Sequence, residues 1–290
     1  MHAAPFPGTW SIRGRSLSLE RPLVMGVLNV TPDSFSDGGR FDAPERALAR
    51  AAEMVAEGAD LLDVGGESTR PGAAPVDPAE EAARVVPVVR LLVERLRVPV
   101  SVDTRRAGVA RAALAEGAEI VNDVSALADP AMGEAVAEAG AGLVLMHMRG
   151  TPQTMQLDPR YGDVAGEVAD ELESALERAR AAGVPDERVA LDPGIGFAKT
   201  AGHNLELIAR LAELGRLGRP VLLGASRKSF IGRLLGGIPA EERGAGTAGA
   251  CVAGLLHGAR IFRVHDVRLV RHALDVAEAI RRAAPAGALP

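Results

Sequence analysis

Eight short apolar runs along the chain each end in polar or charged side chains of a kind that binds ligands. In chain order these endings are Asn29, residues 67–70, Asp103, Asn122, His147, Asp192, residues 226–228 and residues 263–265. A parallel barrel gathers the C-terminal ends of its strands around one mouth, so eight such endings would converge on one site. The sequence therefore has the layout of an enzyme.

Asp103, Asn122 and Asp192 form the first chemical group. A buried carboxylate is costly unless it meets hydrogen-bond donors, and adjacent N–H groups of a ring such as a 2-amino-pyrimidinone would match it. The asparagine both donates and accepts, which suits a ring with both kinds of nitrogen. Capping of helices or bracing of loops is the alternative role for any one of these residues.

Lys228, Arg263 and His265 form a second, positive group. Phosphate sites in parallel barrels often lie at the loops after the seventh and eighth strands, beside a helix N-terminus. Residues 226–229 open a predicted helix after the seventh run, so this group fits an anion site. Two alternatives stay open: a solvated basic surface, or a Schiff base on Lys228 as in barrel aldolases.

Asn29, at the end of the first run, is not a strong metal ligand by itself. Mg²⁺, however, usually takes one or two protein oxygens together with substrate phosphates and waters. No cluster of His, Asp and Glu in the sequence offers a permanent cage, so we expect any metal to arrive with the substrate. Cys251 lies in an apolar stretch, which favours a buried packing residue over a nucleophile.

The elements that must position these groups repeat with a period of about 30 residues, the size of a βα unit. Eight repeats favour the α/β class and a (β/α)₈ TIM barrel over an open doubly wound sheet, because polar endings follow every run. Residues 9–20 alternate apolar and polar around a glycine and predict a β-hairpin at the barrel bottom. We expect one domain over 1–290, with the barrel over about 22–282 and a frayed tail over 283–290.

Composition excludes several classes of protein. The 290 residues are 47% hydrophobic and carry a net charge of −5 without a basic stripe, which argues against nucleic acid as a partner. No apolar run approaches the roughly 18 residues of a membrane span. The first seven residues lack a secretory signal, and one cysteine fits a reducing compartment. We therefore expect a cytoplasmic protein without a membrane partner.

The endings also resemble, in order, the signature motifs of the dihydropteroate synthases, the pterin-binding enzymes of the folate pathway. The two longest are residues 29–39 (NVTPDSFSDGG) and residues 63–72 (DVGGESTRPG). The others are residues 101–104, 121–123, 147–152, 192–197, 226–230 and 263–266. Eleven ordered residues in the first motif are far more specific than a lone glycine pattern, and the matches span about residues 20–280.

This resemblance implies a reaction in which 4-aminobenzoate displaces pyrophosphate from the diphosphate ester of 6-hydroxymethyl-dihydropterin, giving 7,8-dihydropteroate. It implies that the pterin ring is held by Asp103, Asn122, Asp192 and Lys228. It implies that the pyrophosphate is held by Thr69, Arg263, His265 and Asn29, with Mg²⁺ on Asn29. It implies that the aminobenzoate end is bound by Ser229 and Arg70, with Phe35, Pro71 and Phe197 as apolar walls.

The same resemblance bears on catalysis and assembly. Lys228 and Arg263 are the expected catalytic cations, and Asp37 is a candidate for stabilising a pterin cation. The loops 30–42 and 66–77 would close over the site and exclude water. A homodimer is implied, with residues 246–256 and 269–280 as candidate contact helices, and sulfonamides are expected inhibitors.

Two other functions stay open at this point. Corrinoid-linked methyltransferases that use methyltetrahydrofolate resemble the chain at Asp103, Asn122 and Asp192. They have no need of the two long loops or of Lys228, Arg263 and His265. A pterin-binding paralogue without turnover should have lost residues of the loop motifs or one of these three cations, and the sequence has not.

Overall fold

The computed structural model describes residues 7–31, 43–69 and 72–283. The strands in this part are β1 (Thr9–Ile12), β2 (Arg15–Ser18), β3 (Leu23–Asn29), β4 (Leu61–Gly65), β5 (Val100–Asp103), β6 (Ile120–Asp123), β7 (Gly142–Met146), β8 (Val189–Asp192), β9 (Leu222–Leu223) and β10 (Ile261–Val264). The helices are α1 (Ala43–Ala56), α2 (Pro78–Arg95), α3 (Ala107–Ala115), α4 (Met132–Ala139), α5 (Val164–Ala181), α6 (Ala201–Ala209), α7 (Ser229–Leu234), α8 (Gly244–Leu256) and α9 (Val267–Ala283).

The eight strands β3 to β10 form one parallel sheet with the order β8-β7-β6-β5-β4-β3-β10-β9. A parallel bridge between Leu191 and Val221 joins the two ends of this sheet and closes the ring. Helices lie between successive strands, so each strand and the helix after it make one βα unit. The expected (β/α)₈ barrel is confirmed.

Side chains of each strand alternate between the helices outside and the barrel interior. On the outside, Val24, Leu62 and Val102 belong to the large apolar core that the helices cover. α2 contributes Val85, Val89 and Leu92 to that core, at the spacing of one helix face. Several inward positions near the C-terminal ends are polar instead, and they form the candidate site.

The hairpin of β1 and β2 covers the N-terminal end of the barrel. Trp10 and Ile12 are buried against a layer of apolar side chains from the barrel interior. That layer is Leu23, Met25, Leu61, Ile120, Val144, Ala190, Leu222 and Ile261. Trp10 Nε1 also donates to the Arg188 carbonyl at 2.9 Å, just before β8. The predicted hairpin at the barrel bottom is confirmed.

Local sequence signals set several helix ends. Asp77 caps α2 by accepting a hydrogen bond from the Ala79 N–H at 2.8 Å, with Pro78 at the first helical position.

Cys251 is fully buried in α8, and burial raises the pKa of its thiol to about 12. It is a packing residue, as expected. No helix in the described ranges has the length and apolarity needed to cross a lipid bilayer.

Candidate active site

A cluster of charged side chains fills the barrel interior at the C-terminal ends of the strands. Arg263 on β10 donates through Nε to Asp63 Oδ2 and through Nη2 to Asp103 Oδ2, both at 2.6 Å. Asn122 Nδ2 donates to the same Oδ2 of Asp63 at 2.9 Å. Strand register puts Gly65, Asp103 and Asn122 at one level. Three of the sequence-predicted residues therefore lie together. The sequence analysis assigned Asp103 to the pterin and Arg263 to the pyrophosphate, but in the structure these two side chains form an ion pair.

Asp63 is the member of this cluster that sequence reasoning missed. Its side chain is fully buried on β4, and its Oδ1 has no hydrogen-bond partner among the described residues. By accepting from Asn122, it fixes which way that amide faces. The available signal was a carboxylate inside the apolar run of residues 61–65, where an inward position is the only one that avoids the helix layer.

Burial controls the ionisation of the two predicted carboxylates. It raises the pKa of Asp103 to about 7, with Arg263 opposing and Asp63 adding to the rise. It also raises the pKa of Asp192, although Lys228 and Arg263 oppose it. The Gly194 N–H donates to Asp192 Oδ1 at 2.7 Å. A ligand that brings further N–H donors would stabilise the ionised form of both groups.

The turn after β9 positions Lys228. Arg227 has a φ of +56°, a left-handed conformation that costs free energy in a non-glycine residue. Three contacts hold it: its N–H donates to Thr247 Oγ1 at 3.0 Å, Arg243 Nη1 donates to its carbonyl at 2.9 Å, and its guanidinium pairs with Asp266. Backbone strain held by surrounding contacts is typical of functional sites.

Lys228 lies over Phe197, with Nζ 3.9 Å from the ring centroid. Burial lowers the pKa of this lysine to about 8, while the charge of Asp192 opposes that change. Gly196, with a φ of +84°, packs so closely that an added Cβ would lie 2.8 Å from Lys228 Cδ. The loops after β8 and β9 therefore meet at Lys228 and Phe197, and both residues lie at the barrel mouth.

His265 differs from the sequence-based expectation of a positive group. Its Nδ1 lies 3.0 Å from Ser226 Oγ, which also accepts the His265 backbone N–H at 3.1 Å. Burial, aided by the charge of Arg263, lowers the pKa of His265 to about 3. This contact is compatible with either tautomer of the neutral ring, because the serine hydroxyl can donate to Nδ1 or accept from it. His265 is therefore neutral in the ligand-free protein.

Asn29, Thr69 and Ser229 lie around this cluster. Asn29 ends β3 beside Gly65 and is half-buried, as is Thr69 in the loop after β4. Ser229 is exposed at the first residue of α7. Within the described residues, none of the three has a hydrogen bond to the charged cluster.

A network of ion pairs supports the loop that carries Thr69. Glu67 accepts from Arg105 at 3.2 Å, from Arg106 at 3.1 Å and from the Val76 N–H at 3.0 Å. Burial works to raise the pKa of Glu67, but these donors outweigh it, so the pKa is lowered. Arg106 also pairs with the buried Glu81. The loop base is thus ionised and fixed.

Several predicted residues lie outside the described residues. These are Phe35, Asp37, Arg70 and Pro71. Of the two predicted closing loops, only residues 30–31, 66–69 and 72–77 are described. The Gly72 N–H donates to the Pro152 carbonyl at 3.1 Å, which ties the loop after β4 to the loop after β7.

A closed parallel barrel with buried carboxylates and cations at its mouth fits the class of pterin-binding barrels, and comparison with known proteins shows that class. The family model described as "Pterin binding enzyme" matches residues 25–265. Dihydropteroate synthase of Synechocystis sp. is 48% identical over 264 residues, covering 91% of each chain. The chain belongs to the dihydropteroate synthase family of pterin-binding enzymes.

Solved structures give the same result. Dihydropteroate synthase of Yersinia pestis, in a complex with a sulfonamide drug, has a TM-score of 0.90 at 45% identity, covering 95% of this chain and 100% of that chain. The Xanthomonas albilineans enzyme in complex with 7,8-dihydropteroate has a TM-score of 0.86 at 44% identity, covering 96% of this chain and 100% of that chain. These matches confirm both the fold and the family that the motifs indicated.

Proposed function

We propose that this protein condenses 4-aminobenzoate with the diphosphate ester of 6-hydroxymethyl-7,8-dihydropterin to give 7,8-dihydropteroate and diphosphate. The observation that carries the proposal is the buried cluster in which Asp63 and Asp103 bind Arg263 while Asn122 binds Asp63. Support comes from the Xanthomonas albilineans relative, whose solved complex contains 7,8-dihydropteroate.

The pterin ring would enter this cluster. Asp103 and Asp192 accept from the ring N–H groups, and the neutral amide of Asn122 both donates and accepts. Lys228 donates to the ring carbonyl, since its Nζ lies over the face of Phe197 and has no hydrogen bond to any residue that the structure describes. Each buried carboxylate gains donors on binding, so binding offsets the desolvation that raises the pKa of Asp103.

The reaction then breaks the bond between the pterin methylene carbon and the diphosphate oxygen, and the electron pair leaves with diphosphate. The electron-rich ring stabilises the resulting cation, so departure precedes attack. Arg263 and an N–H group of the neutral His265 ring stabilise the leaving charge, with Thr69 beside them. The amine nitrogen of 4-aminobenzoate forms the new C–N bond and loses one proton. It is already a neutral nucleophile and needs no activating triad.

Asn29 would hold Mg²⁺ through its amide oxygen. The described residues contain no group of three or more His, Cys, Asp or Glu side chains placed to hold a metal ion. The residues present therefore fit an ion bound mostly by the substrate diphosphate. When bound, Mg²⁺ would add positive charge at the departing diphosphate.

The aminobenzoate end is proposed to lie nearer the solvent. Ser229 is exposed at the start of α7, beside Lys228, and would act with Arg70. Phe197 would form an apolar wall with Phe35 and Pro71, and Asp37 would face the cation once the loops close. Sulfonamides, which mimic 4-aminobenzoate, should then compete at this end, in line with the sulfonamide complex of the Yersinia pestis relative.

The direct test is to incubate the protein with Mg²⁺, the pterin diphosphate and labelled 4-aminobenzoate. Labelled dihydropteroate and diphosphate should appear in equal amounts and should decrease when a sulfonamide is added. Absence of both products would reject the synthase. Borohydride trapping of a carbonyl substrate on Lys228 would favour an aldolase, and methyl transfer from methyltetrahydrofolate would favour a methyltransferase.

We also propose that the protein forms a homodimer in the cytoplasm, with α8 and α9 at the contact. On α9, Leu269, Val276 and Ile280 are exposed apolar residues at a spacing that shares one helix face. Val276→Glu should yield monomers by light scattering. Leu157→Glu, at an exposed leucine of the loop after β7, is the matched control and should leave the dimer intact.

A further inference from the structure

Lys199 and Lys228 are the two lysines of this chain, and both lie at the barrel mouth. The other 31 of the 33 basic residues are arginines. An ammonium group is compact and makes hydrogen bonds in rotatable directions, whereas a guanidinium is a rigid planar fork. A chain that otherwise uses arginine throughout has a lysine at Lys199, which suggests that an ammonium group is required there. Lys228 is accounted for by the proposed function, and Lys199 is not.

Lys199 is buried, with 3% of its surface exposed. Its Nζ donates to the Phe197 carbonyl at 3.0 Å and to His147 Nδ1 at 2.9 Å. Within the described part of the chain, no carboxylate forms an ion pair with it, and burial lowers the pKa of its amine to about 7. Its two hydrogen bonds therefore fix the position of the amine between the loop after β8 and His147.

His147 connects Lys199 to α5 through Glu171. Its Nε2 lies 3.0 Å from Glu171 Oε2. Since Lys199 donates to Nδ1, the neutral histidine carries its proton on Nε2 and donates it to the carboxylate. Glu171 is held in turn by Arg149, whose guanidinium lies 4.1 Å from the Tyr161 ring centroid. The chain of contacts runs from the site to the outer helix.

The loop after β8 makes two close contacts just before Lys199. An added Cβ at Gly194 would lie 1.9 Å from the His147 carbonyl oxygen, and one at Gly196 would lie 2.8 Å from Lys228 Cδ. Gly194 also donates to Asp192. A shift of this segment by a few tenths of an ångström would therefore move Phe197, Lys228 and the donor to Asp192 together.

We propose that Lys199 is a positioning residue that, with His147, holds the segment from Gly194 to Phe197 against Lys228 and so sets the affinity of the site for its ring substrates. Lys199 does not touch the substrate in this role. The inference rests on the proposed function, because the ring that Lys228 and Asp192 would bind is the pterin.

Calorimetric binding of 6-hydroxymethylpterin tests the role without turnover. Lys199→Met should weaken binding about tenfold, the effect expected when a buried charge-assisted hydrogen bond is lost. Lys199→Arg should fail to restore it, because the guanidinium cannot place its N–H groups at both partners. Full restoration by arginine would show that only the charge matters and would overturn the proposal.

Arg271→Met is the matched control. Arg271 is an equally buried cation, but it donates to the Pro22 carbonyl at the opposite end of the barrel. The Arg271→Met variant should have a lower melting temperature but should bind pterin within about twofold of wild type, because Arg271 shares no partners with the site. If both variants lost binding equally, general destabilisation would explain the effect of Lys199→Met, and the positioning role would be overturned.

Lysine labelling supplies a second readout. Protein made with [6-¹³C]lysine should give two methylene signals, assigned with Lys199→Met and Lys228→Met. If Lys199 holds the loop, the Lys228 signal should move in ligand-free His147→Gln and stay unchanged in Arg271→Met. An unmoved Lys228 signal in His147→Gln would overturn the role of Lys199. Failure of the wild-type protein to bind 6-hydroxymethylpterin would instead overturn the proposed function.

Discussion

Asp63 joins two functional groups through one carboxylate oxygen. That oxygen accepts hydrogen bonds from the Asn122 amide and from the Arg263 guanidinium. In the proposed reaction Asn122 reads the pterin ring and Arg263 stabilises the leaving diphosphate. A single buried residue therefore sets the distance between the group that recognises the substrate and the group that promotes bond cleavage.

Asp63→Asn should lower kcat/KM for the pterin diphosphate by about 100-fold, because it removes one of the two carboxylates that hold Arg263 in place and leaves Asp103 as its remaining ion-pair partner. Steady-state kinetics would measure the loss. Asp60→Asn is the control, since Asp60 also holds an arginine, Arg271, but at the barrel bottom. It should reduce stability alone. An Asp63→Asn enzyme within threefold of wild type would show that Asp63 has no such role.

Two perturbed groups should give kcat/KM for the pterin diphosphate a bell-shaped pH profile. Asp103, whose pKa is raised by burial to about 7, must lose its proton to accept from the ring, so activity rises through that pH. Lys228, whose pKa is lowered by burial to about 8, must keep its proton, so activity falls above it. Because kcat/KM reports the unbound enzyme, these are the relevant values.

Lys228→Arg separates the two limbs of this profile. An arginine keeps its proton at all these pH values, so the descending limb should disappear from whatever activity remains, while the ascending limb stays near pH 7. A descending limb that persists near pH 8 in Lys228→Arg would assign it to another group.

At the scale of elements, the loops after β8 and β9 form one unit because a glycine allows their contact. Gly196 has a positive φ and faces Lys228 Cδ, whereas Gly218, also with a positive φ, has nothing within 4 Å of an added Cβ. The two glycines thus share a backbone requirement and differ in surroundings. Alanine substitutions at the two positions therefore distinguish the free-energy cost of backbone strain, which both share, from the effect of displacing Lys228, which only Gly196→Ala should have.

Both Gly196→Ala and Gly218→Ala should lose about 1 kcal/mol of folding free energy, because alanine disfavours a left-handed backbone. Gly196→Ala should additionally weaken binding of 6-hydroxymethylpterin, since its Cβ would push Lys228 away from Phe197. Thermal unfolding and calorimetry would measure the two effects. Equal pterin binding in the two variants would show that the loop contact is not needed.

The sequence reveals the strand ends of this barrel because polar residues there interrupt apolar runs; Asp103, Asn122 and Asp192 were found in that way. Asp63 was missed because it lies inside such a run and not at its end, although a carboxylate within an apolar strand was a signal for an inward position. Lys199 and His147 are 52 residues apart, beyond any local pattern. The neutral state of His265 follows from burial, which a sequence does not display.

At the scale of the molecule, stability and chemistry occupy opposite ends of the barrel. The hairpin and the inner apolar layer lie at one end, and the charged cluster lies at the other. Substitutions at the two ends share no partners, so their effects should be nearly independent.

Trp10→Ala tests this separation. It removes a fully buried ring and the hydrogen bond to the Arg188 carbonyl, and should cost about 3–5 kcal/mol of folding free energy. KM for both substrates should stay unchanged at temperatures where the variant is folded. Urea unfolding and steady-state kinetics would measure the two quantities, and a large rise in either KM would show that the hairpin influences the mouth.

The hairpin also leaves the barrel with a single opening. Because Trp10 and Ile12 close the opposite end, a ligand in the interior must enter and leave through the same opening. The ligand that binds deepest must bind first and dissociate last. Substrate binding and product release therefore use one path, and slow product release would delay the next turnover.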